Sequence, residues 1–297
     1  MHSTIAIHLF PGLRLATLLL ALLSTAWGGQ APVYRVLSEG RAPSYLVGTM
    51  HSEDPRVLAV LTPLVPLIDS VDTVVIEMIP DAVTMLAVAA ATLLPADQRL
   101  RGLVGDADYS ALRDAAGRRG IPEAVLDRLK PWAAAVTIGM PPAETGRFLD
   151  IEIYLAAQQR GRSVVGLESP VEQLALFDEM PSALQLALLG DTVKNAGQQP
   201  KQLEELTEAY LQGDADLIYR AAQAQYAKMP PALSQWFAGQ LIRQRNARML
   251  ERLAPLLTKE TVLVAVGAMH LGGDTGLVAG LQRLGYRLEP WGGISAR

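Results

Sequence analysis

Six short strand-like runs, scattered through a chain that otherwise reads as helix, constrain the fold more than any other feature. Val33-Tyr-Arg-Val-Leu37 and Ser44-Tyr-Leu-Val-Gly48 alternate and flank a Gly/Pro turn, which predicts a β-hairpin. Thr73-Val-Val-Ile76, Ser163-Val-Val-Gly-Leu167 and Thr261-Val-Leu-Val-Ala-Val266 do not alternate, and Tyr286-Arg-Leu-Glu289 comes last. Runs that are apolar throughout predict strands covered on both faces, as in a parallel sheet with helical crossovers. The expected fold is therefore α/β, with a mixed, largely parallel sheet built from the N- and C-terminal segments. A large helical insertion fills about 81–254, and no low-complexity linker divides 29–297 into separate domains. Helical text over 55–69 is expected to break at Pro63 and Pro66, and a further helix is expected over 275–284.

Composition removes several classes. Half of the 297 residues are apolar and 19% are charged, which excludes a disordered chain. The 26 basic and 30 acidic residues leave a net charge of −4, which gives no basis for binding nucleic acid through its phosphates. There is no cysteine, so disulfides, Fe–S clusters, thiolate zinc sites and cysteine nucleophiles are excluded.

The first residues read as a targeting segment. Arg14 precedes an apolar stretch, Leu15 to Leu23, and Ala26-Trp27-Gly28 fits the small-x-small pattern of a cleavage site. Nine residues of helix rise about 14 Å, too little for a ~30 Å hydrocarbon core, so an uncleaved anchor is disfavoured. Residues 1–28 are expected to be a cleaved signal peptide, and the mature chain to be periplasmic or secreted without a stable membrane span. Cleavage would remove His2 and His8 and leave His51 and His270 alone of the four histidines.

Those two histidines stand in matching contexts. Tyr45-Leu-Val-Gly48-Thr-Met-His51 and Val264-Ala-Val-Gly267-Ala-Met-His270 are each an apolar strand followed by Gly, a small residue, Met and His. Two further strands run into Glu77 and Glu168. In open α/β sheets ligands bind beyond the carboxyl ends of the strands, so parallel pairing would gather these four side chains at one edge. Two imidazoles and a carboxylate can hold a divalent metal with positions open to water. Imidazole suits Zn, Fe, Ni and Cu, and a carboxylate-rich shell moves the preference towards Mn. The glycine before each histidine would allow a sharp turn and a close backbone approach. Asp274 reads as the N-cap of the last helix, and Asp150 stands at the start of another. Arg243 and Arg245-Asn246 have a solvated helix face as their default reading, and Lys130-Pro-Trp132 reads as a packed helix junction.

Taken together, these residues resemble the TraB/GumN, or TIKI-like, family. The resemblance rests on Gly48–His51, Glu77, Lys130-Pro-Trp132, Leu149-Asp150, Gly166-Leu-Glu168-Ser with Gln173, Arg245-Asn246, Gly267–His270 with the glycine-rich turn after it, and Gly285-Tyr286. It implies a fold related to the erythromycin-esterase and ChaN-like group. From the animal members it also implies a metal-dependent peptidase using manganese or cobalt, with His51, His270 and Glu77 as functional residues.

The leading expectation is a metal-dependent hydrolase, a peptidase by resemblance, acting on a peptide or small molecule. His51 and His270 would bind the metal, Mn or Co, with Zn and Fe as alternatives. Glu77 would be a third ligand or the general base, Glu168 and Asp150 further ligands or their supports, and Arg245 the donor steadying the oxyanion. A metal-free hydrolase of erythromycin-esterase type, with histidine acting on water, is the second reading. A non-catalytic periplasmic protein binding haem or iron is the third.

Overall fold

The computed structural model describes residues 31–292, and the predicted leader with its cleavage site lies outside them. Six strands form one sheet: β1 Val33–Leu37, β2 Ser44–Thr49, β3 Thr73–Ile76, β4 Ser163–Gly166, β5 Val262–Gly267 and β6 Arg287–Pro290. Their order is β4-β3-β5-β2-β1-β6. Pairing is parallel from β4 through β3 and β5 to β2, and antiparallel on both sides of β1. The hairpin, the mixed sheet and the four parallel strands are those expected. β5 sits between β2 and β3, so a C-terminal strand joins the two N-terminal ones.

Unbroken apolar runs are explained by what covers each face. Val47, Val74, Leu263 and Ala265 point to one core, where Leu64, Ile68, Leu149 and Ile153 pack on them. Leu46, Val75, Val264 and Val266 point to the other, against Met249, Leu253, Leu257 and Leu277. Each fully buried aliphatic side chain contributes about 1.5–3 kcal/mol relative to exposure, so neither face can be stripped. The expectation of burial on both faces fails for β4. It is the edge strand, its residues are exposed or half-buried, and Val165 is 36% exposed.

The helical middle is not one body. Leu149–Gln159 and Arg245–Lys259 cover opposite faces of the sheet. A third core, around Leu112, Leu126, Trp132, Ile138 and Leu188, is a cluster distinct from the two on the sheet. Lys130-Pro-Trp132 is indeed a packed junction: Lys130 Nζ and Trp132 Nε1 both donate to Asp178, at 2.7–2.8 Å.

Two proline expectations need correction. The helix Leu61–Asp69 runs through both Pro63 and Pro66, and the break falls earlier, after Pro55–Leu58. Pro63 lies in the first turn, where an N–H has no helical partner to lose. Asp274 is likewise not a cap: the helix Leu277–Arg283 starts from Gly276, with no side-chain cap. No helix among the described residues is long and apolar enough to cross a membrane.

Candidate functional site

Because β2, β3, β4 and β5 run parallel, the segments that follow them leave from one edge of the sheet. His51, Glu77, Glu168 and His270 follow Thr49, Ile76, Gly166 and Gly267 respectively, so all four are delivered to that edge. The structure then divides them. Glu77, Glu168 and His270 join one buried network around Arg245, whereas His51 stands apart with Asp150.

Arg245 is the centre of the first group and only 8% exposed, and Asn246 is buried beside it, so the solvated-face reading is overturned for these two and holds for the exposed Arg243. Its Nη2 donates to Glu77 Oε2 at 2.5 Å and to Glu168 Oε2 at 2.6 Å. Its Nε reaches both Glu168 oxygens at 3.0–3.1 Å. Its Nη1 lies 3.1 Å from His270 Nε2. A guanidinium is permanently protonated, so that contact makes His270 Nε2 an acceptor. The ring proton therefore sits on Nδ1, which donates to Asn246 Oδ1 at 2.7 Å. Asn246 Nδ2 is bound to the carbonyls of His270 and Thr275, which orients its oxygen toward the ring. Gln173 Nε2 adds a donor to Glu168 Oε2 at 3.0 Å. Gln173 is placed by a capping box, in which the Ser169 hydroxyl accepts from the Glu172 amide and Glu172 accepts from the Ser169 amide.

Arg245 owes its inward aim to a backbone irregularity. A π-helix, Phe237–Gln244, precedes it and passes directly into the α-helix Arg245–Lys259. Such segments are rare and recur at functional sites.

The electrostatics follow from this packing. Burial opposes ionisation of Glu77, but His270, Arg245 and the Gly267 amide outweigh it and hold its carboxyl at about 2. Burial pushes His270 down to about 4, against the pull of the Glu77 carboxylate. At neutral pH His270 is thus uncharged, and Arg245 with the Gly267 amide keeps Glu77 ionised. Burial alone would lower Arg245, and the two glutamates raise it instead.

The glycines of the paired motif serve close approach rather than a sharp turn, for neither has a positive φ. The Gly267 amide donates to Glu77 Oε1 at 2.6 Å, and a Cβ there would lie 3.2 Å from that oxygen. A Cβ on Gly48 would lie 2.6 Å from Pro32 Cγ and 3.0 Å from the Ala268 backbone. Gly48→Ala is therefore expected to cost about 1–3 kcal/mol through overpacking. Chemical denaturation measures it, and an unchanged midpoint would refute the close-approach explanation.

His51 is the exposed member, with 46% of its side chain accessible. Its Nδ1 lies 3.3 Å from both Asp150 oxygens, and its ring stacks on Phe148 with centroids 3.8 Å apart and planes 9° apart. Phe148 is the N-cap of the helix Leu149–Gln159, and Asp150 lies in its first turn. Asp150 therefore orients His51 instead of merely capping a helix. His51, Asp150, Glu77 and Gln173 line one cleft of about 360 Å³, whose other walls include Ile76, Met85 and Ile151.

The donors do not suit a divalent ion as they are arranged. Glu77 Oε2, Glu168 and His270 Nε2 already bond the Arg245 guanidinium, so the atoms a metal would need from them are occupied by a resident cation. Among the described residues no group of three or more His, Cys, Asp or Glu is disposed to hold a metal.

By sequence the chain is similar to known proteins. The YbaP proteins of Shigella flexneri and Escherichia coli K12 are each 23% identical to it over 251 residues, covering 83% of this chain and 90% of the relative. No solved structure matches. The TraB/PrgY/gumN family pattern matches residues 32–290, from the start of the sheet to its last strand. The chain belongs to the TraB/PrgY/gumN family.

Proposed function

We propose that the protein is a hydrolase in which His51 acts as general base on water, without a bound metal. The observation that carries this reading is the exposed His51–Asp150 pair facing the same cleft as the ionised Glu77. Asp150 accepts the Nδ1 proton and leaves the other ring nitrogen free to take one from water, the usual division of labour in a carboxylate–histidine pair. Glu77 lines the same cleft as an ionised carboxylate and is the acceptor available to orient the attacking water. Arg245 and the Gly267 amide hold Glu77 in place from behind. Arg245 is buried, with Nε, Nη1 and Nη2 each bonded within the cluster of Glu77, Glu168 and His270, so its role here is positioning rather than oxyanion binding. Gln173 Nε2, which donates to Glu168 and reaches Glu77 at 3.5 Å, likewise positions the carboxylates in the cleft wall. The substrate is a peptide or a small-molecule ester or amide, and the chemistry is that of the metal-free hydrolase, with histidine acting on water, rather than the metal-dependent peptidase that the family resemblance implies. The leader expected over 1–28 would direct the mature protein to the periplasm or outside the cell.

Turnover of a broad ester and peptide panel by chelator-treated protein tests this. His51→Ala is expected to lower turnover by about 10²–10⁴-fold, with Asp150→Asn following it. Turnover that survives His51→Ala would refute the base assignment. Activity that appears only on addition of Mn, Co, Zn or Fe would transfer the site to the metal-dependent hydrolase. Saturable haem or iron binding without turnover on any substrate would make it a binding protein.

A further inference from the structure

His51 belongs to two cavities. Besides the cleft that holds Glu77, it lines a larger one of about 590 Å³ on its other side, and Phe148 shares that wall. We infer that this second cavity is a substrate subsite, and that it takes an apolar group carrying a cationic amine. The inference rests on His51 being the base, since a substrate held at His51 from the cleft extends into whatever space adjoins that ring.

The shape and chemistry of the cavity set the ligand class. Met140, Pro142, Phe148, Leu203 and Leu206 supply apolar walls. The charges are uneven: Glu53, Asp54, Glu144 and Glu204 line it, against Arg119 alone. Arg56, just outside, pairs with Asp54, Glu204 and Glu208, and Arg119 donates to Gln199. The carboxylates still outnumber these two arginines, so the field inside favours a cation and repels an anion. Glu144 is exposed and faces no cation of the chain among these contacts.

One wall is fixed by the chain itself. Glu53, two residues after His51, accepts from the amides of Glu144 at 2.6 Å, Thr145 at 2.9 Å and Gly146, and from the Thr145 hydroxyl at 2.9 Å. Those bonds pull the carboxyl of Glu53 down to about 2, so it stays a charged anchor at any physiological pH. The anchored loop runs straight into Phe148 and Asp150, the two residues that hold His51. Fixing such a wall before binding removes part of the ordering cost of recognition.

Three probes with one apolar body test the proposal: 4-phenylbutylamine, 4-phenylbutanol and 4-phenylbutyrate. Calorimetric titration is expected to show saturable binding of the amine, with the butyrate at least about tenfold weaker. The His51 ring resonances should shift on titration with the amine. Glu144→Lys, at an exposed position, should weaken the amine by about threefold or more and leave the alcohol unchanged. Leu206→Arg should abolish binding of the amine. Equal affinity for amine and butyrate, or unchanged amine binding in Leu206→Arg, would overturn the subsite. None of these readouts needs turnover. Amine binding by a protein that hydrolyses nothing removes the hydrolase reading alone, and turnover without amine preference removes the subsite alone.

Discussion

Arg245→Met is expected to destabilise the protein by about 3–5 kcal/mol at neutral pH, because it leaves two inward carboxylates without their cation. Glu77 and Glu168 both bond to the same Nη2, and the Glu168 side chain is fully buried. Arg248 lies 3.6 Å from Glu168 Oε1, too far and too poorly hydrogen-bonded to replace Arg245. At roughly 2–4 °C per kcal/mol for a chain of this size, the melting temperature should fall by about 10 °C. Arg245→Lys should recover only part of this loss, since an ammonium cannot span Glu77, Glu168 and His270 in one plane. Two further measurements separate electrostatics from lost packing. Acidification discharges carboxylates, so the deficit relative to wild type should narrow as pH falls. Adding Glu168→Gln to Arg245→Met should also restore stability, which simple additivity forbids. A deficit under about 1 kcal/mol, or one that ignores pH, would show that Arg245 is not the cation on which the site depends.

How the sequence relates to this site depends on which physical signal each residue carries. The strand ends were readable because β2, β3 and β5 are buried on both faces and must be apolar throughout, which leaves His51, Glu77 and His270 as the first ionisable groups beyond them. The edge position of β4 was not readable, since Ser163-Val-Val-Gly166 is as apolar as an inner strand and pairing order leaves no local trace. The paired Gly-x-x-His motifs are alike as sequence and differ in the fold. β5 lies between β2 and β3, so His270 drops into the interior beside Arg245, whereas β2 delivers His51 to the surface. Arg245 and Asn246 are picked out by the resemblance, but their burial is hidden by the π-helix before them, because helical periodicity cannot be carried across a turn that holds an extra residue. Asp150 was visible only as an acid near a helix start, and its tie to His51 spans two distant segments that no spacing rule connects.

The buried state of His270 has a consequence for stability that needs no substrate to observe. Its folded pKa, about 4, lies below the ordinary 6.5, so between those values the unfolded chain binds a proton that the folded one refuses. Stability supplied by the neutral ring is complete above about pH 6.5 and is lost as pH falls towards 4. The shift corresponds to about 3 kcal/mol, from 1.36 kcal/mol per pKa unit. Glu77 continues the trend at lower pH. Its depressed pKa, about 2 against an ordinary 4.5, withdraws further stability between those values. Only below about pH 4, where His270 becomes a cation, does that ring add to the hold of Arg245 on Glu77. Urea denaturation of the wild type at half-unit steps from pH 7.5 to 4 should therefore stay level to about pH 6.5 and then fall steadily. His270→Gln, which keeps a polar side chain but has no proton to gain, should flatten the His270 part of that slope. An equal slope in wild type and His270→Gln would mean that the ring is already protonated in the folded protein, and the Nδ1–H tautomer assigned from Asn246 and Arg245 would be wrong.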